Sequence, residues 1–189
     1  MSNSSDRPLP GPAPVPPETL KAVLDLWEQA GEAHWIPVHG TSMLPMLHQG
    51  DQVLVAHGKW RVRGGDIVVF QRPDGLVAHR VLVAQSQGGV SALRTKGDNV
   101  LGLDPPLSEE GLVGRVLQVR RDEKALNLDT RLWRWVGRWV ALVMLAQAWL
   151  YHHRGSESAG ALRKIVSYLC LRIMQANGLC LRAILAVSG

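Results

Sequence analysis

Between about residues 34 and 120 the chain runs as short apolar stretches broken at close intervals by Gly-Asp, Gly-Gly or Pro-Asp-Gly. HWIPVH, QVLVAH, DIVVFQR, LVAHRVLVA, VSALRT and LVGRVLQVR are rich in β-branched residues and too short for helices, and their separators favour tight turns. This punctuation predicts an antiparallel β-sheet. Pro73-Asp74-Gly75 lies between two such runs and predicts a hairpin pairing roughly 66–71 with 76–84.

The flanks have a different texture. Leu20, Val23, Leu24, Trp27 and Ala30 recur at helical spacing, with Gly31 as a stop, so an amphipathic helix is expected within 18–31. Residues 1–17 hold six of the eleven prolines and read as a disordered arm. The division expected is an arm at 1–17, a helix at 18–31, a β domain at 32–121 and a basic, Trp-rich helical tail at 122–189. The class is mainly β, α+β overall.

Charge is unevenly spread within a net +5. Residues 1–119 carry 10 Lys/Arg against 12 Asp/Glu, and residues 120–189 carry 11 against 4, with four of the seven tryptophans. Basic and Trp-rich sequence points to a membrane surface as partner, not nucleic acid. The apolar run WVALVMLAQAWLY covers only about 20 Å of helix, short of the ~30 Å of a bilayer core. It and a second helical stretch at about 161–176 are expected to be interfacial or re-entrant, or else to pack on the β domain or another subunit. Cys170 and Cys180 show no ligand spacing, so neither metal nor disulfide framework is expected, and no cofactor is implied. The N-terminus lacks a charged-then-apolar signal pattern, which together with the cysteines places the expected location on the cytoplasmic side of a membrane. The oligomeric state stays open.

Chemistry concentrates in a few places. HGTSMLPMLHQGD puts Ser42 after Gly40-Thr41 and before Pro45, in a turn where a backbone can approach a substrate closely. A serine hydroxyl needs a base within reach and donors for an oxyanion. His79 alternates with Val77, Val81 and Val83 on one strand face, where desolvation favours a neutral imidazole. Asp98 and Asp104, in RTKGDNVLGLD, are both candidates to orient it. Lys96 is a weaker base candidate, because Lys96-Gly97-Asp98 reads as a turn and a neutral lysine needs deep burial.

Read in order, GTSMLPML with its following GD, then GGDIVVF, HRV, TKGDN with a later Asp, and GRV closely resemble the S24/S26 serine peptidases. This superfamily holds the type I signal peptidases and the self-cleaving SOS repressors. The resemblance spans about residues 36–119. His79-Arg80 stands where the bacterial enzymes and repressors carry Lys-Arg, so this chain looks like the Ser-His-Asp branch of archaea and the endoplasmic reticulum. The resemblance implies Ser42 as nucleophile, His79 as base, Asp104 as its carboxylate partner and Asp98 as a second essential or structural one. Gly40 replaces a hydroxyl residue that often serves the oxyanion, which leaves the backbone N–H groups of Ser42 and Thr41 for that role.

A signal peptidase-like serine endopeptidase is therefore expected, cleaving an extended peptide or precursor after small residues. The alternatives are a non-catalytic membrane-associated binding module and a self-cleaving repressor-like protein, for which Ala30-Gly31 and Ala159-Gly160 are the available dipeptides.

Overall fold

The computed structural model of the chain describes residues 16–58, 62–73, 75–87, 90–108 and 111–152. Most of the proline-rich arm, the predicted helix at 161–176, both cysteines and Ala159-Gly160 lie outside the described residues.

Helix α1 (Pro17–Ala30) opens on proline, whose missing N–H costs nothing in a first turn. It ends at Gly31, in the left-handed conformation with φ 65°, whose N–H bonds to the carbonyls of Trp27 and Glu28. Leu20, Leu24 and Trp27 face the sheet.

Among the described residues eight strands follow: β1 (Ala33–Pro37), β2 (Gln52–His57), β3 (Ile67–Arg72), β4 (Gly75–Gln87), β5 (Val90–Lys96), β6 (Leu107–Ser108), β7 (Leu112–Arg121) and β8 (Lys124–Asn127). They form one antiparallel sheet in the order β1-β2-β7-β3-β4-β5-β6, with β8 also on β7. The mainly β class read from the sequence is thus the architecture observed, with a helix on either side of the strands. The predicted hairpin is β3–β4, registered from Ile67↔Arg80 to Arg72↔Gly75. Strand β7 is long enough to serve three neighbours. One edge pairs β2, while the other pairs β3 near its start and β8 near its end.

β8 carries the sheet past Arg121, where the texture of the sequence changes. Asp122 takes a left-handed φ of 54° in a two-residue turn that pairs Arg121 with Lys124. The strand KALN is too short to display an alternation, and only its Leu126 is buried.

Both sheet faces are covered, which is why the strands read as apolar runs. Leu76 and Ala78 of β4 join a core of Val53, Val55, Val69, Val116 and Val119, whereas Val77 and Val81 meet Val68, Phe70 and Leu93. Helix α2 (Arg131–His152) packs Val140, Ala141 and Met144 on Leu82. It crosses the chain at Gly65 almost backbone to backbone: a Cβ on Gly137 would lie 2.6 Å from the Gly65 carbonyl oxygen. One face of the apolar run 139–151 therefore packs on the β-sheet. Among the described residues no helix is long and apolar enough to cross a membrane.

At the junction of α1 with β1 and β2, Trp27 stacks on His34 at 4.3 Å and lies 4.9 Å from His57. Burial, and next the neighbouring His34, push the His57 imidazole below its usual value of 6.5. The unfolded chain then binds this proton more readily than the folded one, so stability is lost as pH falls below about 6.5. His57→Gln removes the titrating group and should flatten part of the fall in melting temperature between about pH 7 and pH 5. Melting curves of both proteins across that range check it; parallel curves would assign the proton uptake to other groups.

Candidate functional site

The loop from Val38 to Asp51 carries Ser42 and is closed at its neck. Val38 N–H donates to the Asp51 carbonyl at 2.8 Å, and Gly50 N–H donates to the Val38 carbonyl at 3.1 Å. Gly40 and Gly50 supply the positive φ values, 82° and 92°, that let the chain reverse there. Met43, Met46 and Leu47 are buried and root the loop in the core. Ser42 is half-buried, between exposed Thr41 and buried Met43. The Leu44–Pro45 peptide is cis.

Gly50-Asp51 is the foundation of this loop. The buried Asp51 carboxylate accepts Arg121 Nε at 2.8 Å and Nη2 at 2.7 Å, and also the His48 N–H at 2.8 Å. Those bonds to Asp51 hold the Arg121 guanidinium above its ordinary range.

His79 reaches the loop from β4. Its Nδ1–H donates to Asp104 Oδ2 at 2.6 Å, leaving Nε2 to accept from the Ser42 hydroxyl at 3.3 Å. The ring is buried, edge-to-face with Phe70 at a centroid separation of 5.9 Å. Asp104 is held in turn by Thr95, whose hydroxyl donates to Oδ2 at 2.7 Å and whose carbonyl accepts the Asp104 N–H at 3.0 Å. Arg72 donates to Oδ1 at 2.6 Å. Burial alone would raise the Asp104 carboxyl. The hydrogen bonds from His79 and Thr95, with the charges of His79 and Arg72, outweigh it and keep the group below its usual range.

The two candidate aspartates are thereby separated. Asp104 faces His79, while Asp98 accepts Arg80 Nε at 2.9 Å and Nη2 at 2.7 Å in a buried two-pronged pair. Arg80 also donates to the Gly65 carbonyl at 2.9 Å. Asp98 thus fixes the turn after β5 without touching the imidazole's proton. That turn presses on the serine loop: Asn99 N–H donates to the Ser42 carbonyl at 2.7 Å, and Asn99 Nδ2 to the Thr41 carbonyl at 3.2 Å.

Lys96 departs from the sequence reading. It ends β5, not a turn, and is only 1% exposed, with Nζ at 3.5 Å from the Gly97 carbonyl. Its burial meets one requirement of a base, yet the register Arg80↔Lys96 sends it off the face opposite His79. The backbone N–H groups of Thr41 and Ser42 have no acceptor among the described residues. No cluster of described residues is arranged to hold a metal ion.

Three supporting residues carried no assigned role in the sequence. Thr95 opens TKGDN and Asn99 closes it, on either side of the lysine and aspartate that drew attention. Nothing local marks Arg72, which meets Asp104 only because the hairpin brings them together. Beside Ser42 opens a cleft of about 140 Å³, lined by Val38, His39, Met43, Val69, Leu76 and Ala78 among others.

Residues 8–98 match the family model described as Peptidase S24-like. The match supports the S24/S26 serine peptidase superfamily and suggests a serine peptidase or a self-cleaving, repressor-like protein. It includes Ser42, His79 and Asp98 and stops before Asp104. No curated protein matches the chain.

Gly97 is where these contacts converge. A Cβ there would lie 2.8 Å from the Ser42 carbonyl oxygen and 2.9 Å from His79 Nε2, and the carbonyl is fixed backbone. Gly97→Ala should cost about 1–3 kcal/mol in unfolding free energy, as overpacking does, and should disturb the Ser42–His79 contact. Denaturant unfolding and Ser42 labelling by a phosphonate probe measure the two effects; an unchanged midpoint with unchanged labelling would mean the turn has slack.

Proposed function

We propose that the chain is a serine endopeptidase of the Ser-His-Asp, signal peptidase-like type, cleaving a signal, leader or precursor peptide bound in extended form. The observation that carries this reading is the hydrogen-bonded series Asp104–His79–Ser42, assembled from a loop, a strand and a second loop. Burying an imidazole between a carboxylate and a hydroxyl has no packing rationale, since an apolar residue would fill β4 at lower cost.

In this mechanism Ser42 Oγ bonds to the scissile carbonyl carbon as its proton passes to His79 Nε2. Asp104 steadies the imidazolium, and the Ser42 and Thr41 N–H groups receive the oxyanion. The C–N bond then breaks as His79 returns the proton to the leaving amine. Water repeats the sequence on the acyl-enzyme. The peptide would pair with the edge of β1 that no described strand occupies and place a short apolar side chain in the adjoining cleft.

Cleavage of another chain or segment is favoured over self-cleavage at Ala30-Gly31. The Gly31 N–H is tied into the end of α1, whose Leu24 and Trp27 are packed on the sheet. A non-catalytic binding module would need none of the three polar side chains.

The test uses an internally quenched peptide with a small residue before the scissile bond, together with a fluorophosphonate probe. Wild-type protein should label at Ser42 and turn over the peptide. Ser42→Ala should abolish both, and His79→Ala or Asp104→Asn should lower turnover by about 10²–10⁴-fold. Turnover by Ser42→Ala equal to wild type, or failure of the folded protein to label, would overturn the reading.

A further inference from the structure

Helix α2 has two apolar faces, and the sheet occupies only one. Trp133, Gly137, Val140, Ala141 and Met144 point inward. On the opposite side Leu132, Trp135, Trp139, Leu142 and Trp149 fall at helical spacing along a single stripe. They are exposed, Trp135 at 60% and Trp139 at 59%. Arg131 and Arg138 are also exposed, one turn from Trp135 and Leu142, and neither makes an ion pair with a described residue. Arg134, by contrast, turns to Asp129 at 2.7 Å. A helix packed on one face ordinarily turns polar residues outward, and monomers seldom expose so continuous an apolar stripe.

We propose that this stripe is a docking surface for an anionic lipid membrane, with α2 lying flat in the interface. Trp135 and Trp139 would sit at headgroup depth, and Arg131 and Arg138 would meet lipid phosphates. Charge complementarity selects this occupant. Residues 153–189 of the chain carry five Lys/Arg against one acidic residue, so that segment repeats the sign of the arginines beside the stripe. A second copy would bring the same arginines. An anionic surface supplies the opposite sign, and amphipathic tryptophan suits a boundary between hydrocarbon and water. Lipid binding is measured without turnover and stands or falls apart from peptide cleavage.

The full chain is floated with vesicles of phosphatidylcholine alone and of phosphatidylcholine with phosphatidylglycerol. Wild type should float with the anionic vesicles, and brominated lipid should quench its tryptophan emission. W135S/W139S should weaken attachment by about tenfold or more without shifting the melting temperature, because both rings point outward. R131Q/R138Q should lose the preference for anionic over neutral vesicles. The proposal is overturned if wild type does not attach, or if W135S/W139S floats unchanged. It is equally overturned if that variant loses thermal stability or a dimer while its flotation is unaltered, since the rest of the chain or a second copy would then cover the stripe.

Discussion

A β-strand hands successive side chains to opposite faces of its sheet, and at His79-Arg80 both faces are put to use. His79 projects toward Asp104 and Ser42 on one side. Arg80 projects to the other, where it grips Asp98 and the Gly65 carbonyl. The same two-residue step thus places the imidazole and, through Asp98, the Gly97–Asn99 turn that holds the backbone of Ser42. A one-residue slip of β4 would exchange the two side chains and bury a guanidinium where the site needs an acceptor. The register from Ile67↔Arg80 to Arg72↔Gly75, fixed by the hairpin turn, is what prevents it.

Each loop that contributes to the site is tied down by one aspartate and one arginine: Asp51 with Arg121, Asp98 with Arg80, and Asp104 with Arg72. These pairs matter less for gross stability than for uniqueness. The Arg80–Asp98 pair, buried on both sides, barely offsets its own desolvation, but removing one member would strand the other at a cost of about 3–5 kcal/mol. The loops are therefore held in one arrangement by what it would cost to leave it. Arg72 is the most exposed of the three arginines, and its pairing acts mainly on Asp104, keeping the carboxylate ionised beside the imidazole.

The sheet and the triad candidates were legible because their signals are local. Strand runs, glycine turns and the His79 alternation each reside in fewer than about ten consecutive residues, the range over which periodicity reports structure. Resemblance to a known family supplied the pairing of Ser42 with His79, which local pattern could not. What escaped depends on long-range closure. Arg72 meets Asp104 across 32 positions, and Arg121 meets Asp51 across 70. Lys96 was misread for a related reason: Lys-Gly-Asp carries turn chemistry, but pairing with β4 extends β5 through the lysine and buries it. β8 was missed because a strand of four residues with one buried side chain gains its identity from β7, not from itself.

The approach of Gly65 to Gly137 joins the outer helix by backbone packing to the polar contacts behind the site. Gly65 gives its carbonyl to Arg80, and the backbone of α2 lies directly against it, since even a methyl group on either glycine would collide. From α2 the contacts run through Gly65, Arg80 and Asp98 to Gly97, where a side chain would collide with the carbonyl of Ser42 and the ring of His79. Glycine–glycine crossings leave little freedom to slide or tilt, because backbone atoms cannot repack as side chains do. The orientation of α2 is consequently the orientation of the serine loop, so a surface that fixes the Trp135–Trp139 face would also fix the direction in which the cleft opens.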